Sequence, residues 1–274
     1  MSNKWLPVQG LEAGTHWRRT QGVGFARSLQ TVPLVAVELR NVAVSLPLAI
    51  VPQGVAGWRV VAVMGVVPGS NACVGPQGQW LSRHVPAALR GHPFVWQADV
   101  DGEGAGELTL WSASRVAEPS LAPAPLLEPV WAEDGRLSPQ VLRVQSFLQQ
   151  VEQGVQTLSV AAAQLHGAGL LEVWDPDGAV VPPVAPWHRV NESALNALPN
   201  AEFVALRASG ALALAYAQML STGQWPMLRQ LAERVAASDS AQLHAATTPP
   251  NPPSKSFVDS SALSFLQSLA QAQD

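Results

Sequence analysis

The segment Gly78–Trp96 (GQWLSRHVPAALRGHPFVW) concentrates side chains whose types suit chemistry. It holds two histidines, two arginines and two tryptophans. His84 and His92 are eight residues apart, a rise of about 12 Å in a helix, whereas the ligands of one metal ion lie within a few ångströms of each other. One helix cannot present both side chains to the same ion, so we expect these histidines to be structural.

The chain lacks the common signatures of nucleophilic and cofactor chemistry. It has no G-x-S-x-G nucleophile elbow, no H-x-x-x-H pair and no glycine-rich phosphate loop. The one cysteine, Cys73, has no basic neighbour in sequence, so a reactive thiolate is not indicated. Asp99 and Asp101 in DVDGEG, and Asp175 and Asp177 in DPDG, are typical of turns, because the twelve-residue pattern of a calcium loop is missing. No cofactor is predicted.

Tryptophan and arginine supply the candidate ligand-binding residues. The chain has 10 Trp against 6 Phe and 1 Tyr, and the amphipathic indole ring suits pockets and interfaces. Arg83 lies at the start of a helix predicted over residues 84–90, where backbone N–H groups favour anions. We therefore expect an anion- or peptide-binding edge at this helix start. The candidate residues are Trp58, Trp80, Arg83 and Trp187.

An enzymatic alternative requires a metal site built from distant segments. His16, His188 and Glu192 are the residues that would have to converge in it. In this alternative the protein is a metal- or 2-oxoglutarate-dependent enzyme that modifies peptides. Sequence alone leaves it open, although the missing catalytic motifs favour a non-catalytic protein.

Composition limits the partners and the compartment. Hydrophobic residues make up 47% and charged residues 13% of the chain, which favours a surface that a partner covers. With a net charge of −4 and no run of Lys or Arg, nucleic-acid binding is not expected. The N-terminus has no apolar signal segment, and no apolar run reaches the ~18 residues of a membrane span. These features predict a cytoplasmic protein that does not enter a membrane.

In the first half, hydrophobic periodicity predicts strands around one helix. Residues 31–46 carry apolar side chains at spacings of three and four, which predicts a helix. Residues 48–52 and 58–67 predict two strands joined by a turn in QGVAG. Residues 93–98 and 107–111 predict two more strands.

The second half is predicted to be mainly helical. Ser138 and Pro139 form an N-cap and a first-turn proline before a long apolar stripe that ends near Gly167. LEVWDPDGAVV predicts a hairpin around DPDG, and residues 186–190 predict a further short strand. Helices are also predicted over residues 191–199, 200–223 and 225–237.

This order of elements predicts an α+β fold: a β-rich N-terminal half with one or two helices, and a helical C-terminal half packed on the sheet. Residues 1–240 are expected to form a single domain, followed by a Pro-rich linker over 241–256 and an amphipathic tail over 257–274. Such a tail is typical of a docking segment, in cis or on a partner, or of a frayed terminus. Three leucines share one helical face of the tail: Leu263, Leu266 and Leu269.

Two blocks of sequence resemble the SapC family of bacterial proteins. The first, VVAVMGVVPGSNACVGPQGQWLSRHVPAALRGHPFVW, is similar in its apolar strand, Pro-Gly-x-Asn turn, Gly-x-Trp and Pro-x-x-Leu-Arg helix that ends at Pro-Phe. The second, RVNESALNALPNAEFVALRASGALALAYAQMLS, is similar in its Leu-Asn-x-Leu-Pro helix start and long apolar helix. At His84 and His92 the family commonly has tyrosine, which supports a packing role for both histidines.

The resemblance implies an accessory role more than a particular reaction. Members of the family are typically found beside flavin-dependent halogenase-like proteins, cupin-like oxygenases and TonB-dependent receptors. Such neighbours are typical of a peptide- or metabolite-modifying pathway. It therefore implies a peptide or protein partner, such as a halogenase-like or cupin-like enzyme. The family's name comes from a surface-array locus, which keeps a surface-layer component as another alternative. The ligand and the oligomeric state are not predicted.

Overall fold

The computed structural model of the chain describes residues 4–54, 57–97, 106–116, 127–178 and 186–247. These residues form the predicted α+β fold, with strands mainly in the first half and helices mainly in the second. The strands are β1 (Trp5–Pro7), β2 (His16–Arg18), β3 (Thr31–Pro33), β4 (Leu48–Gln53), β5 (Gly57–Val63), β6 (Phe94–Gln97), β7 (Glu107–Trp111), β8 (Arg115–Val116), β9 (Leu127–Pro129), β10 (Leu171–Val173) and β11 (His188–Val190). The α-helices are α1 (Leu39–Ala43), α2 (Ala87–Arg90), α3 (Pro139–Gly167), α4 (Glu192–Asn196), α5 (Asn200–Ala208), α6 (Ala211–Ser221) and α7 (Trp225–Thr247).

The largest sheet has five strands in the order β10-β11-β4-β5-β3, and all neighbouring pairs are antiparallel. Strands β4 and β5 form the predicted hairpin, with Leu48 opposite Ala62 and Gln53 opposite Gly57. Helix α3 packs against β5, and α6 packs against β4, β11 and α3. The sheet is thus covered by helices, which explains why the β4 and β5 sequences are apolar at consecutive positions.

Residues 31–46 do not form the single helix that their spacing predicts. Thr31–Pro33 is strand β3, which pairs with β5 at the sheet edge, and only Leu39–Ala43 is α-helical. A 3₁₀ turn over Ala36–Glu38 joins the two. Helical periodicity is misleading here because the segment is buried by different neighbours along its length. Pairing with β3 satisfies backbone groups along the edge of β5, and a helix over residues 31–33 would leave those β5 groups unpaired.

The helix predicted over residues 200–223 is two helices, α5 and α6. They are separated at Gly210, whose φ of +80° is a left-handed value that suits glycine and interrupts the helix. The N-cap residue of α5 is Pro199. Because of the break, α6 enters the core as a buried helix, whereas α5 buries only Leu206.

Two smaller boundaries differ from the sequence prediction. Strand β10 pairs with β11, so DPDG lies within a longer connection rather than in a tight hairpin turn. Helix α7 continues to Thr247, so residues 241–247 of the predicted linker are helical. Helix α3 ends at Gly167, as its apolar stripe predicts, and the left-handed glycine that follows it is Gly169. The tail residues Leu263, Leu266 and Leu269 lie outside the described residues.

Two three-stranded antiparallel sheets complete the β structure, in the orders β1-β7-β6 and β8-β2-β9. Strands β6 and β7 are the predicted pair, with Phe94 opposite Leu110. Trp17 of β2 packs edge-on against Phe94 with ring centroids 4.9 Å apart, so the two sheets share a second, smaller apolar cluster. Helix α3 begins beside it, with Ser138 as the predicted N-cap accepting a hydrogen bond from the Val141 N–H.

The chain divides into two compact units, Met1–Ala236 and Ala237–Asp274. The first unit contains the three sheets. Among the described residues, no single helix is both long and apolar enough to cross a membrane. Two helical segments joined at a bend, Asn200–Ala208 and Ala211–Ser240, reach the required length and apolar composition only when they are counted together.

Candidate functional site: a tryptophan-lined cleft

Three tryptophans from separate elements meet at one edge of the five-stranded sheet. Trp174 follows β10, Trp187 precedes β11 and Trp225 begins α7. Their ring centroids are 5.9 Å apart for Trp174 and Trp187, 5.8 Å for Trp174 and Trp225, and 6.0 Å for Trp187 and Trp225. Trp225 meets both other rings edge to face, at 72° and 73°, an arrangement that aromatic rings favour. We call this group the tryptophan cluster.

The cluster borders an open cleft of about 520 Å³. Trp174 and Trp225 line the cleft with only 5% and 7% of their surfaces exposed, and Trp187 supports both rings. The exposed surface of its walls is more polar than apolar, and Asp175, Arg189 and Thr222 are its polar side chains. The lining residues are Val173, Trp174, Asp175, Pro176, Arg189, Thr222, Trp225 and Pro226.

Backbone and side-chain hydrogen bonds hold the rings in place. The Trp174 N–H donates to the Trp187 carbonyl oxygen at 2.7 Å, which extends the β10–β11 ladder by one residue pair. Asp177 accepts from Trp225 Nε1 at 3.0 Å and from Arg229 Nη1 at 3.2 Å. Pro176 and Asp177 lie in a turn within the longer β10–β11 connection, and the Asp177 carboxylate fixes the start of α7 beside the cleft.

Arg189 is the cation of the cleft wall. Its Nε donates to Glu172 Oε1 at 2.7 Å across the β10–β11 pair. Asn191 Nδ2 donates to the other oxygen of Glu172, also at 2.7 Å. These contacts orient the arginine, whose side chain keeps 47% of its surface exposed.

A family model described as SapC matches residues 13–228. The chain belongs to the SapC family. The matched region includes all three members of the tryptophan cluster as well as Arg189 and Asp177. No curated protein and no solved structure matches the chain.

The four predicted ligand-binding residues of this SapC protein do not form one site. Trp187 belongs to the tryptophan cluster, whereas Trp58 contacts His166 and His188 with ring centroids 4.5 and 5.0 Å apart. Trp80 is half-buried and donates from Nε1 to the His84 carbonyl oxygen at 3.0 Å, and Arg83 is exposed. Sequence analysis missed Trp174 and Trp225, because only the fold brings them beside Trp187.

The helix start beside Arg83 is already occupied by a carboxylate of the protein itself, that of Glu38. Helix α2 begins at Ala87, later than predicted, and has four residues. The Ala87 N–H donates to Glu38 Oε2 at 2.9 Å, and Glu38 is only 4% exposed. The same carboxylate accepts from His84 Nε2 at 2.9 Å and from the Val35 N–H at 3.3 Å. His84 is thus a partner of a buried carboxylate rather than a ligand residue.

His92 is also packed within the protein. Its ring stacks on Phe25 with centroids 3.7 Å apart, and Nδ1 lies 2.8 Å from Thr20 Oγ1. Burial disfavours the charged ring and lowers the pKa of His92 to about 4. Both histidines of the opening segment therefore have structural partners, in agreement with the argument from their spacing.

This burial predicts an acid-dependent loss of stability. The His92 pKa of about 4 in the folded protein lies below the ~6.5 of an unfolded chain. The unfolded state therefore binds the proton first, and stability falls as the pH drops from about 6.5 to 4. The expected loss is about 1–2 kcal/mol, less than the full shift implies because the ring is partly exposed. Urea unfolding of wild type and His92→Phe at pH 7 and pH 4.5 measures it. An equal loss of stability between pH 7 and pH 4.5 in both proteins would contradict the attribution of this loss to His92.

The residues of the enzymatic alternative do not converge. His16 lies on β2 and donates from Nδ1 to the Gly14 carbonyl oxygen at 2.7 Å, whereas His188 lies on β11 and Glu192 is exposed at the start of α4. In the ranges that the structure describes, no three His, Cys, Asp or Glu side chains are placed to hold a metal ion. Cys73 is buried, and desolvation raises the pKa of its thiol to about 12.

Proposed function

We propose that this SapC protein is a non-catalytic binding protein whose cleft takes an extended, proline-bearing segment of a partner protein. The observation that carries the proposal is the tryptophan cluster at an open cleft with one arginine in its wall. The partner that we propose is the modifying enzyme of a peptide- or metabolite-modifying pathway, of the halogenase-like or cupin-like kind that the family resemblance implies. The protein then acts as its accessory.

The aromatic residues in the lining of the cleft support a proline-bearing segment. Flat indole rings are the usual receptors of proline-rich segments, which are extended before they bind and lose little entropy. Pro176 and Pro226 already line this cleft together with Trp174 and Trp225, so pyrrolidine rings are compatible with its walls. The Asp177 contact and the extended β10–β11 ladder hold the rings in advance, which lowers the cost of ordering them on binding.

The charge of the cleft supports an acidic residue next to the proline. Arg189 is half exposed in the wall and pairs there with Glu172, and Asp175, the carboxylate of the lining, already has an interaction within the protein. The chain's own segment TTPPNPPSKS, residues 247–256, has prolines but no acidic residue, and it carries Lys255. The positive charge of Lys255 beside Arg189 would disfavour the chain's own segment as the occupant, and Arg189 favours a partner segment with Asp or Glu.

Selection from a random peptide display library against the full-length protein tests this proposal. We expect enrichment of peptides that combine proline with Asp or Glu. Trp187→Ala removes the ring that supports Trp174 and Trp225. It is expected to weaken the selected peptides about 30-fold, a loss of about 2 kcal/mol. Arg189→Gln should weaken the acidic peptides alone.

Trp111→Ala is the matched control, since Trp111 is a half-buried tryptophan that packs against Trp5 in another sheet. It should leave peptide affinity unchanged. Two results would contradict the proposal: equal losses in Trp187→Ala and Trp111→Ala, or full displacement of the selected peptides by synthetic TTPPNPPSKS. The second result would show that the chain's own segment fills the cleft.

A further inference from the structure

An edge strand of the five-stranded sheet borders the tryptophan-lined cleft. Strand β10 is the last in the order β10-β11-β4-β5-β3, so among the described residues only β11 pairs with it. The strand at the other edge, β3, ends in Pro33, and proline protects an edge because it has no N–H to offer a further strand. Strand β10 contains no proline. The edge beside the cleft is therefore the one that keeps its backbone donors.

The hydrogen bonds to β11 show which backbone groups of β10 point out of the sheet. The Trp174 N–H donates to the Trp187 carbonyl oxygen at 2.7 Å. Four residues earlier, the Leu170 carbonyl oxygen accepts from the Asn191 N–H at 2.9 Å. Alternate residues of an antiparallel strand bond to the same neighbour. Val173 therefore points both its N–H and its carbonyl oxygen away from β11.

The neighbouring strand follows the same alternation. Val190 is opposite Leu171 and turns its N–H away from β10, where Gln218 Oε1 accepts it at 2.9 Å. At the outer edge of β10, the N–H and the carbonyl oxygen of Val173 have no hydrogen-bond partner among the described residues. This residue thus offers the donor and the acceptor that an added strand requires.

The cleft runs along this edge. Val173 and Trp174 both line it, although successive side chains of a strand point to opposite faces of the sheet. A cleft bordered by both residues passes the strand edge, where the outward backbone groups of Val173 lie. Val173 is 59% exposed, so a ligand in the cleft can reach these groups.

We propose that the partner segment joins the sheet as a sixth strand, antiparallel to β10 and paired at Val173. The inference rests on the proposed function and specifies how the cleft holds the segment. The Val173 N–H donates to the carbonyl oxygen of one residue of the segment, and the Val173 carbonyl oxygen accepts from the N–H of that same residue. We call it the paired residue. It cannot be proline, because proline has no N–H.

The same register places a proline against the tryptophan cluster. In an antiparallel pair, the residue before the paired residue lies opposite Trp174, and directly opposite residues share a face. Its N–H points away from β10, so it can be proline without losing a bond to the sheet. The segment therefore carries Pro-X, where X is the paired residue. Strand pairing and proline recognition are compatible in this order.

A partner segment fits this edge better than a second copy of the chain. The β10 strand of a second copy would supply the same two hydrogen bonds at Val173. It would then place Glu172 opposite Trp174 instead of a proline. Glu172 is already bonded to Arg189 and Asn191 within its own protomer, so it offers nothing to the indole rings.

An N-methyl scan of the peptides selected with the full-length protein tests the sixth strand. Each residue other than proline carries N–CH₃ in place of N–H in turn. We expect one position, directly after a proline, to lose about tenfold in affinity, because its hydrogen bond to the Val173 carbonyl oxygen is lost. A scan in which no position is sensitive would overturn the sixth strand. If Trp187→Ala still weakens the same peptides, the tryptophan cleft itself stands.

Val173→Pro removes the outward N–H from the protein side. Val173→Thr is the matched comparison, since it keeps the N–H and the β-branched shape. Proline is tolerated in edge strands, so both variants should unfold at similar temperatures. The proline variant should bind the selected peptides about tenfold more weakly than the threonine variant. Equal affinities would overturn the sixth strand, as would a wild-type dimer that Val173→Pro dissociates, because a second copy would then fill the edge. A library without binders would overturn the proposed function as well.

Discussion

Gln218→Leu is expected to destabilise the protein by about 2–6 kcal/mol, because it leaves two buried backbone groups without partners at about 1–3 kcal/mol each. Gln218 on α6 is fully buried. Its side-chain oxygen accepts from the Val190 N–H at 2.9 Å, and its Nε2 donates to the Leu48 carbonyl oxygen at 3.1 Å. The side-chain amide thus bonds to both strands β11 and β4.

The reason for this arrangement lies in the sheet. Strands β4 and β11 are paired at one position, His188 opposite Ile50. Next to that pair, the Gln218 amide takes the place of a backbone peptide group between the strands. Ser221, one turn later, accepts from the Leu48 N–H at 2.9 Å, so α6 satisfies both backbone groups of Leu48. Leucine has a similar size but no polar atoms, so it fills the space without restoring either bond.

Urea unfolding monitored by tryptophan fluorescence measures the effect. Gln164→Leu on the exposed side of α3 is the matched control, and it should change the free energy of unfolding by less than about 0.5 kcal/mol. A loss below about 1 kcal/mol in Gln218→Leu would mean that the strands re-pair without the amide. Because Val190 directly follows Arg189 on β11, the variant should also weaken peptide binding at the cleft.

Glu38→Ala is expected to destabilise the protein by about 3–5 kcal/mol, the range for removing one partner of a buried charged network. The carboxylate accepts from the Val35 N–H, the Ala87 N–H and His84 Nε2. Alanine leaves all three donors without their acceptor in a region where water cannot replace it freely. Glu38→Gln should be less damaging, because it keeps one oxygen but places an N–H₂ group against a donor.

Equilibrium unfolding and hydrogen exchange together test this assignment. Exchange of the Ala87 amide should speed up in Glu38→Ala beyond the global change, since its bond to the carboxylate is lost. Glu152→Ala is the control: this half-buried glutamate on α3 bonds only to Gln156 on the same helix, among the described contacts. It should cost less than about 1 kcal/mol. If Glu38→Ala and Glu152→Ala lower the free energy of unfolding equally, Glu38 does not hold the segments around Val35 and Ala87 together.

Much of the fold follows from local sequence. The β4–β5 hairpin and the β6–β7 pair were predictable because each brings together strands that are close in the chain and apolar in the right pattern. The start of α3 was predictable from Ser138 and Pro139, since N-capping involves residues within one turn. The SapC blocks, and with them the α+β class, were also visible in the sequence alone.

The tertiary structure decided which of these residues meet. Residues 31–33 became a strand because β5, some thirty residues later, offers an unpaired edge. Glu38 reached the start of α2, so the predicted anion site beside Arg83 holds the protein's own carboxylate. The tryptophan cluster joins side chains from three separate parts of the chain. Periodicity and capping report on contacts within a few residues, whereas cross-strand register and helix packing set contacts between residues far apart in the chain. The candidate sites depend on these distant contacts, so only the folded chain reveals them.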